Sequence, residues 1–306
     1  MSCLFGIAPP TASRASALTS LAPRTTRPAA PVFSMRLTSL LALLPVAAVA
    51  ASPLLTTPEL ESRMLAAIDR VQTLRYTVVT QERVAGKLLP MRSTVKLTPA
   101  PLRIYLKNTK GAEVLYVTGQ NSNEALVYPG TFPYVTLSLD PASSLMRRNQ
   151  HHIITQVGYG LIASLLRDSE PAFLRSFRYA GDSTLAGRAC YVLSSSYPAF
   201  RYVPYRAGAG ETAASIAAKM HCGEFRILER NNLDVSEQLK AGQTLQVPNA
   251  YGSRTVVLID ERSYLPLAVA VYDDRGLYER YEFSNTVVNQ PIPAAEFSKG
   301  FAGYKF

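Results

Sequence analysis

Few residues in this chain have the type and spacing for catalysis or metal binding. Its three histidines are His151, His152 and His221. His151 and His152 are adjacent, so in a helix or a strand they point in different directions, and a metal would need partners from elsewhere. They read as an exposed pair at a helix start. His221 stands beside Cys222, a poor ligand spacing. Cys190 falls in the middle of a strand and Cys222 inside a small module, so neither gives a nucleophile a cleft, although Cys–His partners meet in space and not in sequence. Asp260, Glu261, Asp273 and Asp274 supply carboxylates, but Asp273-Asp274-Arg275-Gly276 reads as a tight hairpin turn. No Gly-x-Ser-x-Gly elbow, phosphate loop or His-Glu-x-x-His is present. No catalytic residue, metal ligand or cofactor is assigned, and the expectation is a protein that is not an enzyme.

The elements around these residues are more informative. Tyr202 to Ala207 reads as a short strand entering Gly208 and Gly210. Thr212 is placed to cap a helix over 213–220, with Glu211 at its positive end. Ile216, Ala217 and Met220 share one face of that helix. A second short helix covers 224–231, with Phe225, Ile227 and Leu228 apolar. Lys240-Ala241-Gly242-Gln243 turns into a strand from Thr244 to Val247, and Pro248 ends it for want of an N–H.

This order and spacing resemble a LysM module, a βααβ domain that grips N-acetylglucosamine-containing glycans of the cell wall. The resemblance implies a glycan lying across two loops. Carried over, these are Gly210, Glu211, Thr212 and Ala213 on one side, and Asn232, Leu233 and Val235 on the other. Ala207 and Ala213 depart from the Val and Leu usual in the family, which weakens the small core and flattens one groove wall.

The chain has 306 residues with 47% hydrophobic content, enough for one or two domains. Residues 1–34 contain no acid and no apolar periodicity and read as a non-native or disordered leader. From Met35 a basic start, a short apolar core and Ala48-Val49-Ala50 read as a signal peptide over 35–50. That core is too short to span a bilayer comfortably. The expected location is therefore the periplasm or cell envelope. The first fifty residues carry four arginines and no acid, so the remainder has 28 basic and 22 acidic residues. This surplus is scattered, with no basic run interleaved with aromatics, which argues against nucleic acid. Mild attraction to an anionic membrane surface or wall polymer is compatible with it. In an oxidising compartment Cys190 and Cys222 form a candidate disulfide, worth roughly 3 kcal/mol. Two independent buried thiols are the alternative.

Thr57-Pro58-Glu59 starts a helix expected to run to about Leu74. Strand text follows at 76–84, 88–97, 102–108, 113–118, 125–128 and 134–139. Residues 153–166 carry a helical apolar face ending at Arg167-Asp168, and a second short helix follows Pro171. Strands resume at 177–179, 184–185, 189–194, 255–260, 267–272 and 278–288. The 17 tyrosines, without tryptophan, read as half-buried sheet residues. No Pro/Gly/Ser linker interrupts the strands on either side of the module, so it reads as an insert in one sheet.

Gln81-Glu82-Arg83 with Gly86-Lys87, the run Pro101 to Lys107, Glu113 to Val117, and Tyr272 to Glu279 leading into Tyr281-Glu282-Phe283 resemble an uncharacterised exported family of the LolA-like lipoprotein-carrier superfamily. The resemblance implies an α+β fold: a strongly curved antiparallel open β-barrel with plugging helices, over 51–201 and 251–306, carrying the βααβ LysM-like module at 202–250. It also implies an apolar groove for acyl chains, each methylene adding about 0.8 kcal/mol. The expected partners are peptidoglycan or a related glycan, and a lipid or lipoprotein. The competing expectations are an accessory or cryptic cell-wall hydrolase, and a structural envelope protein with a degenerate module.

Overall fold

The computed structural model describes residues 55–306. The expected leader and signal peptide, over 1–34 and 35–50, lie outside the described residues.

The chain opens with α1 (Thr57–Asp69) and continues through β1 (Leu74–Val84), β2 (Lys87–Pro99), β3 (Leu102–Asn108), β4 (Glu113–Val117), β5 (Ala125–Tyr128) and β6 (Leu137–Leu139). Three short helices follow: α2 (Ser144–Arg147), α3 (Gly160–Asp168) and α4 (Pro171–Leu174). Then come β7 (Phe177–Leu185), β8 (Arg188–Ser196), β9 (Tyr202–Arg206), α5 (Ala213–Lys219), α6 (Glu224–Asn231) and β10 (Thr244–Pro248). The last strands are β11 (Arg254–Asp260), β12 (Pro266–Asp273) and β13 (Gly276–Val288).

Eleven strands form one antiparallel sheet in the order β6-β5-β4-β3-β2-β1-β13-β12-β11-β8-β7. The sheet is curved and open: β6 and β7 end it without meeting. β1 lies between β2 and β13, which ties the two ends of the described chain together at its centre. Among the described residues β9 and β10 pair only with each other.

Local sequence explains most boundaries. Thr56 Oγ1 accepts the Glu59 N–H at 3.3 Å and Pro58 occupies the first turn, so α1 starts there. It stops at Asp69, five residues before the expected end, because Leu74 is taken into the sheet opposite Leu97 and Val288. The β1–β2 turn uses Ala85 and Gly86, both at positive φ, the geometry that closes a two-residue hairpin. The Asp273–Gly276 turn is the expected tight hairpin, with the Arg275 N–H donating to Asp273 Oδ1 at 2.8 Å. Of the strand expected over 134–139, only Leu137–Leu139 forms, since Tyr134 sits in a turn at φ 57°.

The helix expected from Ile153 begins only at Gly160. Residues Ile154–Gln156 make a single 3₁₀ turn, and Gly158, at φ +84°, brings its backbone against Leu97. A Cβ there would lie 2.7 Å from Leu97 Cδ2, so the chain must break its helix to cross the sheet. α1 and α3 turn Leu60, Met64, Ile68, Ile162 and Leu166 onto a core shared with Tyr76, Val95, Leu193 and Phe283 of the sheet.

The segment 197–253 is a long excursion between two neighbouring strands: Ser196 of β8 sits opposite Arg254 of β11. Its two ends run side by side. The Tyr197 N–H donates to Ser253 O, the Asn249 N–H donates to Arg201 O, the Arg201 N–H donates to Asn249 Oδ1, and Asn249 Nδ2 reaches Ala199 O. The excursion folds around its own small core of Ala207, Ala213, Ile216, Ala217, Ile227, Leu228, Leu245 and Val247.

Candidate functional site

The first candidate loop is built from its own helix start. Thr212 Oγ1 accepts the Ser215 N–H at 3.1 Å, and Ser215 Oγ accepts the Thr212 N–H at 2.9 Å, so each satisfies a free donor of α5. Glu211 is turned back on the module, where it accepts from the Gly208 N–H and the Tyr205 hydroxyl, both at 2.8 Å. Those two hydrogen bonds, with Lys219 close by, hold its carboxyl below the usual range. Gly210 and Thr212 are exposed, and Ala213 is buried in the module core.

The second loop follows α6. Asn232 takes the left-handed conformation that closes a helix, and the Leu233 N–H returns to Leu228 O at 2.9 Å. Leu233 and Val235 rest partly buried against the module core, while Asn232 is exposed. These three residues line a cleft of about 510 Å³, closed on its far side by the β1–β2 turn, α2 and Arg148-Asn149. The structure therefore joins Asn232, Leu233 and Val235 to the curved sheet. None of Gly210, Glu211, Thr212 or Ala213 lines that cleft.

A second cavity, of about 430 Å³, lies on the concave side of the sheet beneath residues 148–162. Alternate residues of β1 line it in a gradient, from Tyr76 and Val78 to Thr80 and Glu82. The apolar end is completed by Leu106, Val157, Leu161, Ile162 and Phe283. The more polar end carries Asn108, Lys110 and Arg148 to Gln150, with Leu89, Pro90 and Met91 of β2 opposite Glu82, Gln81 and Thr80.

Between module and sheet lies a buried charged junction that the sequence did not show. Arg226 of α6 is completely buried, with its guanidinium carbon 3.5 Å from the Tyr278 ring centroid and one nitrogen 3.4 Å from Asp273. Asp273 also binds Arg83, and Arg83 reaches Leu277 O at 3.1 Å. Although burial disfavours charge at Arg226, the surrounding tyrosines and Glu279 raise its pKa further. Arg147 binds Glu224 at 2.8 Å, Arg275 binds Glu229 at 2.8 Å, and Arg230 faces Asp274 at 3.4 Å.

The adjacent histidines are here, which corrects the expectation of an exposed pair. His151 is buried, its ring stacked between Tyr278 at 4.1 Å and Phe225 of the module at 4.6 Å. Its Nδ1 lies 2.8 Å from Glu279 and its Nε2 2.9 Å from Arg83 O. His152 Nε2 lies 3.1 Å from the same Glu279 oxygen. Burial opposes charge on His152, yet the Glu279 carboxylate outweighs it and raises the imidazole pKa. Burial likewise opposes charge on Glu279, and the two imidazoles hold its carboxyl well below the usual range. Both nitrogens of His151 are spent on protein partners, so this ring fixes the module and presents no base to a ligand.

Cys190 and Cys222 are both free thiols, contrary to the candidate disulfide. Cys190 pairs with Asp260 at one end of the β8–β11 ladder, whereas Cys222 shares a cleft with Tyr251, just before the other end. Six strand residues separate those ends, roughly 20 Å, against the 7 Å limit for a disulfide. Burial pushes the Cys222 thiol up to about 12 and raises that of Cys190, which suppresses the reactive thiolate. Among the described residues no group of three or more His, Cys, Asp or Glu side chains is arranged to hold a metal. No described helix is long and apolar enough to cross a membrane.

Comparison with known proteins separates the two parts in the same way. Residues 205–248 match the LysM domain. Residues 71–201 match a family described as protein of unknown function (DUF1571). No curated protein matches the chain. Among solved structures, the Mycobacterium tuberculosis lipoprotein LppX is similar at 15% identity, over 77% of this chain and 98% of that one, with a TM-score of 0.39. LprF from Mycobacterium bovis is similar at 14% identity, over 77% and 96%, with a TM-score of 0.38. A LolA superfamily protein from Nitrosomonas europaea is similar at 11% identity, over 80% and 98%, with a TM-score of 0.29.

Proposed function

We infer that this is an exported, non-enzymatic cell-envelope protein. It attaches to N-acetylglucosamine-containing glycan of peptidoglycan through the LysM segment, and it shelters a lipid or a lipidated partner in the concave cavity. The observation that carries the first half is the match of residues 205–248 to the LysM domain together with their intact βααβ fold and separate core. In this reading residues 35–50 direct export, 202–250 form the binding module, and 51–201 with 251–306 form the carrier body. Gly210 to Ala213 and Asn232, Leu233 and Val235 frame the sugar. Gly210, Thr212 and Asn232 are the exposed members of that set. The second half is supported by the apolar side chains that line the 430 Å³ cavity, a volume typical of small-molecule sites.

Co-sedimentation with purified sacculi tests the glycan half. Wild type should pellet, and Thr212→Arg combined with Leu233→Arg should stay in the supernatant while keeping a folded circular-dichroism spectrum, with a lowered transition because the α5 cap is lost. Wild-type protein that remains in solution would overturn the reading. Clearing of a peptidoglycan gel by the purified protein would overturn the non-enzymatic part.

A further inference from the structure

The two cavities share a wall. Arg148 and Asn149 line the polar end of the concave cavity, and the same two residues line the cleft beneath Asn232, Leu233 and Val235. The wall is a tight turn: the Gln150 N–H returns to Arg147 O at 3.0 Å and Asn149 stands at φ 62°. The turn sorts its two arginines. Arg147 is buried and binds Glu224 of the module, with its Nε lacking a hydrogen-bond partner among the described residues. Arg148 is exposed and has no ion-pair or hydrogen-bond partner among the described residues, whereas Arg147, Arg226, Arg230 and Arg275 each lie within 3.4 Å of a carboxylate.

We propose that these cavities form one composite site for an amphiphile in which an apolar chain is joined through an anionic linker to an N-acetylated amino sugar. This rests on the glycan and lipid readings above and goes beyond them by making their ligands one molecule. The chain lies along Tyr76, Val78 and Phe283, where burial of each methylene is favourable. The linker meets Lys110 and then Arg148, whose planar donors suit a phosphate-type anion. The sugar continues past Asn149 into the cleft beneath Asn232 and Leu233, so in this arrangement it meets the second of the two module loops and not the first. The rigid junction at Arg226 and His151 keeps the two halves of the site in register, so the second contact follows the first at high effective concentration.

Calorimetry on the full chain tests this with three probes: chitotetraose, farnesyl diphosphate and farnesyl-diphosphoryl-N-acetylglucosamine. The conjugate should bind at least about tenfold more tightly than the better of the other two. Arg148→Glu should remove that gain, lowering the affinity for the conjugate to that of the better simple probe. Arg148 is exposed and unpaired, so the variant keeps its fold. If both simple probes bind and the conjugate gains nothing, or if Arg148→Glu retains the gain, the composite site is wrong while the two separate readings stand. If chitotetraose does not bind, the glycan reading fails and the composite site fails with it.

Discussion

The two sides of α6 bury opposite chemistry. One side sends Ile227 and Leu228 into the module core, where the neighbours are Ala, Ile, Leu and Val. The other sends Phe225 and Arg226 into the sheet, among Tyr278, Asp273 and His151. An apolar core tolerates many arrangements of similar volume, whereas a buried guanidinium admits only the partners that offset its desolvation. The module can therefore hold its own fold by ordinary packing and still be fixed to the body in a single orientation.

Two substitutions break this contrast in different ways. Ile227→Ala should have the largest effect, about 3 to 4 kcal/mol, because Ile227 is completely buried and the small core has little material to fill the cavity. It should unfold the module, with loss of amide protection across β9 and β10. Arg226→Ala should cost about 3 kcal/mol, since it leaves Asp273 with Arg83 alone and strips the cation from Tyr278. Here the module core should stay protected, while exchange accelerates at 197–201 and 249–253, the paired segments that lead to it. Arg226→Met, which keeps the volume without the charge, should cost less. Simultaneous unfolding of core and stalk in both variants would show that the two sides act as one unit.

What the sequence could show divides along the same line. The module's elements follow from periodicity, capping and turn residues, and the first helix starts where its Thr212 cap predicts. In the apolar list for the second helix, however, Phe225, Ile227 and Leu228 cannot share one face, and Arg226 lies between them. Four consecutive buried or partly buried positions mean a helix covered on two sides. The apolar residues on more than one face were the available signal for the junction. His151 and His152 gave no such signal. Their burial depends on Phe225, Tyr278 and Glu279, which are distant in sequence, and no local pattern reports a long-range stack. The turn at Asp273 was legible as backbone, but the burial of its carboxylate was not, because Asp at a turn already has a local explanation.

The junction should also respond to pH, and the sign follows from its two shifted groups. His152 is raised above its ordinary 6.5, so its contribution is fully present below that value and is lost as pH rises through the raised one. Glu279 is depressed below its ordinary 4.5, so its contribution is present above that value and is lost as pH falls through the depressed one. The pair therefore stabilises most between the two ordinary values. In urea titrations the gap in midpoint between wild type and His152→Gln should be widest near about pH 5.5 and shrink towards about pH 9. A gap that grows with pH would mean that His152 is neutral in the native state and acts by packing alone.

The smallest effect is expected where the junction reaches the surface. Arg230 and Asp274 face each other at 3.4 Å, and both side chains are more than a third exposed. Water and salt screen such a pair, and holding two long side chains together costs entropy, so Arg230→Ala should change stability by less than about 0.5 kcal/mol. Arg230 does lie 4.2 Å from the Tyr202 ring centroid, a contact inside the module that partly survives salt. A double-mutant cycle with Asp274→Ala separates the two effects: coupling that vanishes in salt belongs to the ion pair, and the residual cost of Arg230→Ala belongs to Tyr202. Coupling as large as that expected between Arg226 and Asp273 would mean that burial is not what distinguishes the centre of the junction from its rim.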